Sequence, residues 1–317
     1  MEIFNDGLPK EVFQLITENE YEKPNEVAFC SVTDLLRTPK EFWLKRKYAE
    51  GLKVGASNFI ESIYGTIWHL GFETMYNKKK FNTYEQETRM YFKILVDDIP
   101  YIIAGKPDLY NKEEKSLKDF KETSVWTIIN GSRIDHWEKQ LNIYAYCMNY
   151  GFWTDENIEI RNEELLETRQ VDSLSILYKC RDWRKGENIR NEDYPSKVGE
   201  INIRMYLKSE TEELIANLIR EKVKYQYYNV DDIPECVMEE RWQNPEQYAV
   251  MKKGGKRAVR VCATKGQAFG VMKQSNHPHS ELYIQVRESE PTKCKDYCLY
   301  AEYCNWYKKW LAEKNNT

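Results

Sequence analysis

The sequence predicts an α/β fold, on three observations. Apolar residues recur at helical spacing near residues 60–68 and 137–145, short apolar segments bounded by turn residues lie between them, and 41% of the 317 residues are apolar. That is enough to bury a core in one large or two moderate domains. Residues 1–6 lack the basic, apolar and small-residue regions of a signal peptide, and no apolar run approaches the ~20 residues of a membrane helix. A cytoplasmic protein with no membrane partner is expected. No internal repeat or low-complexity tract is present, which argues against a solenoid. With a net charge of −4, the chain has no global basic signal, so a nucleic-acid site must be a local Lys/Arg patch or a metal-neutralised cleft.

Along the chain, Thr38-Pro39-Lys40-Glu41 has the form of a capping box, with Thr38 as N-cap and Glu41 at the third helical position, and predicts a helix to about Tyr48. Ile60, Ile63, Tyr64, Ile67 and Trp68 predict a second helix, which carries Gly65 and His69. Residues 88–96, 101–109 and 116–121 read as a meander of three strands, joined at Asp97-Asp98-Ile99-Pro100 and at a polar turn over 111–115. Trp137, Leu141, Tyr144 and Ala145 restore helical spacing; further strands over 153–206 and a long helix over 209–228 follow. The pattern shifts after Asp231-Asp232-Ile233-Pro234, so a boundary near 230 divides residues 1–230 from 231–317, and Lys253-Gly254-Gly255-Lys256 marks a hairpin in the second part.

Chemistry concentrates at Asp108, Asp119 and Lys121. Residues two apart on a strand share a face, so Asp119 and Lys121 stand side by side, and a tight return after Leu109 brings Asp108 next to them. Two carboxylates suit Mg²⁺ or Mn²⁺, which lowers the pKa of bound water and stabilises charge on a phosphate; the lysine would orient that water or stabilise the transition state. Asp-x-Lys by itself is more often the solvated face of an edge strand.

The wider order is more specific. Gly65-x-x-x-His69, then Gly105-x-Pro107-Asp108, then Asp119-Phe120-Lys121-Glu122-Thr123, then Gln140-x-x-x-Tyr144 resembles the RecB-like exonuclease branch of the PD-(D/E)XK nucleases. The resemblance covers roughly residues 31–150 and 291–306. It implies a restriction-endonuclease-like core, a mixed β-sheet flanked by helices. It also implies that Asp108 and Asp119 bind metal with the Phe120 carbonyl and His69, that Lys121 is the catalytic lysine, and that Gln140 and Tyr144, one helical turn apart, face the cleft.

Eight cysteines occur, three of them close together as Cys294, Cys298 and Cys304 near the C-terminal end, a clustering that metal ligation explains better than disulfides in a chain of this size. Three thiolates need a fourth ligand. In RecB-like nucleases with a 4Fe–4S cluster that ligand is an N-terminal Cys-Pro, and this sequence has Thr38-Pro39 there. Cys236 is preferred as the replacement, with Cys30 as the alternative. Similarity to CRISPR-associated and phage-encoded nucleases with such a C-terminal cluster favours 4Fe–4S over structural Zn²⁺, a choice that spacing leaves open. The cluster is expected to clamp the C-terminal segment onto the nuclease core, and Cys30, Cys147, Cys180 and Cys262 are expected to be ordinary buried thiols.

The family implies a Mg²⁺- or Mn²⁺-dependent deoxyribonuclease, an exonuclease acting on single-stranded DNA or DNA ends in processing or recombination. A non-catalytic DNA-binding or assembly subunit that keeps the fold is the alternative; a third reading is a zinc-stabilised interaction protein. Trp126, Trp137, Tyr146 and Tyr150 could stack a single strand, with Lys118, Lys121, Arg133 and Lys139 nearby, although such aromatics are more often core. The chain has no Gly-x4-Gly-Lys-Ser/Thr ATPase signature, so unwinding would need a helicase or recombination partner.

Overall fold

The computed structural model describes residues 1–18, 24–79 and 83–315, with the backbone alone for His69, Glu73 and residues 76–79. Two compact units result, one of Met1–Trp43 with Ala49–Tyr228 and the other of Leu44–Tyr48 with Asn229–Thr317. Among the described residues no helix is long and apolar enough to cross a membrane.

The first unit is α/β, with mixed sheets flanked by helices. In one sheet the strand order is Val198–Ile203, Ser173–Cys180, Ser116–Thr123, Leu109–Asn111, Tyr84–Gln86. The central strand Ser116–Thr123 runs parallel to Ser173–Cys180, pairing Asp119 with Ile176 and Lys121 with Tyr178, and antiparallel to Leu109–Asn111. Parallel neighbours require a long crossover, and the helix Ile134–Tyr150 lies within it. Leu117, Ile176, Leu141 and Ile143 are fully buried in the core where these elements meet.

The second sheet of this unit is ordered Cys30–Ser31, Ile99–Gly105, Met90–Val96, Trp153–Thr154. This corrects the expected three-strand meander. Asp97 and Asp98, with φ of 51° and 63°, make the two-residue turn that pairs Val96 with Ile99. The ladder then stops at Gly105, because Pro107 has no N–H and constrains Lys106 before it. Beyond Asp108 the chain therefore enters the other sheet.

Helices form where apolar spacing and caps require them. Thr38 and Glu41 bond reciprocally, Glu41 N to Thr38 Oγ1 at 3.2 Å and Thr38 N to Glu41 Oε2 at 3.4 Å, and start the helix Pro39–Tyr48. The expected helix over 209–228 is observed as Lys208–Val223. Helix Ile60–Lys79 stacks Phe72 on Phe120 of the central strand, ring centroids 4.4 Å apart, while Ile134–Tyr150 brings Gln140 to Lys121. Phe120 and Lys121 point to opposite faces, so these two helices cover the strand from both sides.

The second unit contains an antiparallel sheet ordered Ala258–Cys262, Gln247–Lys252, Leu282–Arg287, with helix Lys265–Gln274 packed on Val250, Cys262 and Leu282 through Ala268. The hairpin read at Lys253–Lys256 joins the first two of these strands. A bridge from Gln243 to Pro291 and a 2.9 Å bond from Gln243 Nε2 to Ser289 Oγ tie the start of the unit to its cysteine-bearing end.

Burial decides which substitutions this fold feels. Ile176→Ala, at a position with no exposure, should destabilise by about 2–5 kcal/mol. Ile189→Ala, 74% exposed, should change stability by less than about 0.5 kcal/mol. Urea unfolding midpoints of the two variants test this; equal losses would contradict the core described.

Candidate active site

Local geometry around Asp108 follows from the chain break at Pro107. Having left one sheet, the chain pairs Leu109 with Lys118 of the central strand, and this antiparallel return holds Asp108 beside Phe120. The Phe120 N–H donates to Asp108 Oδ2 at 2.7 Å. Strand alternation sends Asp119 and Lys121 to the face opposite Phe120, and Lys121 Nζ lies 2.5 Å from Asp119 Oδ2. The same ammonium donates to Gln140 Oε1 at 3.1 Å, and Gln140 Nε2 donates to the Tyr144 hydroxyl at 3.2 Å. Gln140 and Tyr144 are one turn apart on their helix, which is why one amide can meet both the lysine and the phenol.

Tyr144 also explains a glycine. A Cβ on Gly105 would approach Tyr144 ring carbons to 3.0 and 3.1 Å, so the ring lies directly against the strand end at Gly105. Asp108, Asp119, Phe120, Lys121, Gln140 and Tyr144 are thus brought together by the structure. Reasoning from sequence missed Thr33, whose side chain lies near the Tyr144 phenol and acts to lower its pKa, against the larger effect of burial. Its only signal was its place in the segment before Thr38-Pro39.

Burial governs the electrostatics here. Asp119 is 2% exposed, and its Oδ2 makes no hydrogen bond of acceptable geometry among the described residues, so the Lys121 ammonium is its direct counter-charge. Burial favours a neutral Lys121, but the Asp119 and Asp108 charges outweigh it, against a smaller opposing push from Arg133, and its pKa is raised. Burial, and then the Asp119 charge, push the Tyr144 phenol far up, so it stays protonated.

Among the described residues no three or more His, Cys, Asp or Glu side chains are arranged to hold a metal ion. The predicted ligand His69 has its backbone in helix Ile60–Lys79, and its side chain lies outside the described residues. The donor set that is described, two carboxylates and the Phe120 carbonyl, has the all-oxygen chemistry of a hard divalent cation. The buried Asp119 Oδ2, without a hydrogen bond, fits such a ligand.

None of the eight cysteines is in a disulfide. Cys30, Cys147, Cys180 and Cys262 are buried, as expected of structural thiols. In the second unit, Cys294 has its pKa pushed up to about 12 by burial and then by Cys298, Cys236 and Cys304, while Arg241 acts in the opposite sense. The four predicted cluster residues therefore share one electrostatic neighbourhood, although their thiols do not form a ligating arrangement. Arg241 holds that neighbourhood together: it donates to the Cys236 carbonyl, accepts the Lys293 N–H at 3.0 Å, and lies 3.7 Å from the Trp306 ring centre.

The aromatics near the site are not alike. Trp137 is core, Tyr146 donates to Glu212, Tyr150 carries Lys208 over its ring at 4.5 Å, and Trp126 is 67% exposed.

No family model matches the sequence, and no curated protein does. A solved structure titled "Crystal structure of SSO0001" is similar at 20% identity and a TM-score of 0.46, over 68% of this chain and 85% of its own.

Removing Lys121 leaves the buried Asp119 charge uncompensated. Lys121→Met should cost about 3–5 kcal/mol, and adding Asp119→Asn should recover a large part of it. Because the lysine pKa is raised on folding, the coupling is fully present below the ordinary lysine value of about 10.4 and is lost as pH rises through the raised one. A double-mutant cycle by denaturant unfolding at pH 7 and pH 9 should give similar coupling; additive losses would contradict the pair.

Proposed function

We propose that this chain is a divalent-metal-dependent deoxyribonuclease of the PD-(D/E)XK type, acting as an exonuclease on phosphodiester bonds in DNA processing or recombination. One observation carries the reading: Asp119, Lys121 and Gln140 are joined by direct contacts, with Asp108 held against the same strand by the Phe120 N–H. A chance Asp-x-Lys on a solvated edge strand would have neither the burial nor the helix-borne partner.

In this reading Asp108, Asp119, the Phe120 carbonyl and His69 hold Mg²⁺ or Mn²⁺, which when bound supplies Lewis-acid polarisation of the phosphate and an acidified water. The protein's own groups do the rest. The Phe120 N–H fixes the Asp108 carboxylate beside the central strand. Lys121 remains an ammonium, held by its ion pair with Asp119 and its hydrogen bond to Gln140 where it can offer an N–H to a non-bridging phosphate oxygen. As the water oxygen bonds to phosphorus and gives up a proton to solvent, the bond to the leaving ester oxygen breaks and that oxygen takes up a proton from solvent, while the Lys121 N–H stabilises the charge added to the phosphate. Gln140 and Tyr144 are positioning residues: the phenol anchors the amide that aims the ammonium.

We further propose that Cys236, Cys294, Cys298 and Cys304 hold a 4Fe–4S cluster, or alternatively Zn²⁺, with a structural role in the second unit. Such a site would add folding free energy to a segment of short helices and turns.

Degradation of end-labelled single- and double-stranded DNA in Mn²⁺ or Mg²⁺ tests the catalytic reading. Wild type should cut, while Asp119→Ala and Lys121→Ala should bind DNA but cut at least about 10²-fold more slowly. Wild type that binds without cutting in either metal would replace this reading with the non-catalytic subunit.

For the cysteine site, anaerobically purified protein should contain iron and acid-labile sulfide in equal amounts. Cys236→Ala should lose both, and Cys30→Ala should keep them. Stoichiometric zinc without sulfide would assign the site to zinc, and metal retained in Cys236→Ala would remove Cys236 as a ligand.

A further inference from the structure

The second unit carries a charge imbalance that the proposed active site does not use. Residues 247–287 contain eight Lys and Arg and one acidic residue, Glu281, a net +7 in a chain whose total is −4; the rest of the chain is therefore at −11. Lys252 pairs with Glu281 at 3.2 Å. The other seven cations are exposed, and none has an ion-pair partner among the described residues.

Four of these seven lie on one hairpin. Lys253, Lys256 and Arg257 occupy its tip, and Arg260 lies on the sheet-edge strand Ala258–Cys262, opposite Val250. The tip is tight: Gly254 has φ +76°, Gly255 N bonds to Lys252 O at 2.8 Å, and Lys253 N bonds to Glu281 O at 2.7 Å. A register shift between Val250 and Met251 adds local twist to the ribbon. Charges on edge strands commonly prevent strand-to-strand aggregation, which would account for Arg260. It does not account for three cations beyond the ladder, where mutual repulsion opposes the fold.

We propose that this hairpin binds the phosphate backbone of double-stranded DNA, independently of base sequence. The choice of DNA as the polyanion rests on the nuclease reading above. Clustered ammonium and guanidinium groups at an exposed hairpin tip position a protein through phosphates without reading bases. Each phosphate neutralised adds about 0.9 to the slope of log affinity against log salt. Four cations on one ribbon therefore predict a slope contribution of about three to four.

The test is fluorescence anisotropy of a labelled duplex of about 30 base pairs, in EDTA and over a NaCl series, with the full chain. The variant Lys253→Gln/Lys256→Gln/Arg257→Gln/Arg260→Gln should melt with wild type, lose at least about tenfold in affinity, and show a salt slope lower by about three. Unchanged affinity and slope would overturn the proposal. So would competition by poly-glutamate as effective as by DNA at equal charge, which would assign the hairpin to an acidic protein partner. Cleavage separates the two readings. If wild type cuts and the hairpin variant binds equally well, this proposal alone fails; if wild type does not cut yet the variant loses the slope, the nuclease reading fails and the hairpin assignment stands.

Discussion

A carboxylate that is 2% exposed on the central strand of a sheet must have its charge met nearby, because an isolated buried charge costs several kcal/mol. Much of the first unit follows from meeting that need at Asp119. Strand alternation supplies Lys121, but a flexible lysine would swing to solvent unless something directed it inward. Gln140 does so, which requires the helix Ile134–Tyr150 to lie across this face of the strand. That helix is also part of the crossover that the parallel pairing of Ser116–Thr123 with Ser173–Cys180 demands. Topology and electrostatics therefore call for the same element in the same place.

The support extends a further layer. Tyr144 holds the Gln140 amide and in turn rests on Gly105, where any side chain would press on its ring. Gly105 ends one ladder and Asp108 precedes another, so the residue that makes room for Tyr144 stands three positions before the second carboxylate. A larger residue at 105 would move the phenol, then the amide, then the ammonium. Positional error of this kind is costly where a group must meet developing charge at hydrogen-bond distance.

Much of this was legible in the sequence where the signal was local. The capping box at Thr38 and Glu41, the period-two placement of Asp119 and Lys121, the one-turn spacing of Gln140 and Tyr144, and the glycine turn at Lys253–Lys256 depend on residues within a few positions of one another. The division of the strands between two sheets did not show. Residues 88–121 look like one meander because each strand has the right pattern, and what separates them is the Pro107 exit together with a pairing to residues 173–180, distant in sequence. The neighbourhood of Cys236 and the C-terminal triplet is equally non-local, since it depends on Arg241 bridging to Trp306 and Lys293. Thr33 carried no periodic or motif signal, because its proximity to Tyr144 exists only once the short helix Val32–Leu35 and the helix Ile134–Tyr150 have packed.

Net charge was uninformative for a related reason. At about 0.1 M salt, surface charges separated by more than about 10 Å are largely screened from one another, so a polyanion responds to the charges it touches rather than to the total. A chain at −4 can thus hold a segment at +7 that attracts phosphate, while its remaining −11 elsewhere contributes little beyond that distance. The same argument applies inside the candidate site, where the Lys121 ammonium responds to the nearby Asp119 and Asp108 carboxylates and, more weakly, to Arg133. A phosphodiester entering that site adds a further negative charge at short range, where screening is weakest. On the nuclease reading proposed above, a divalent cation held by the all-oxygen donor set would add the positive charge that such a substrate requires.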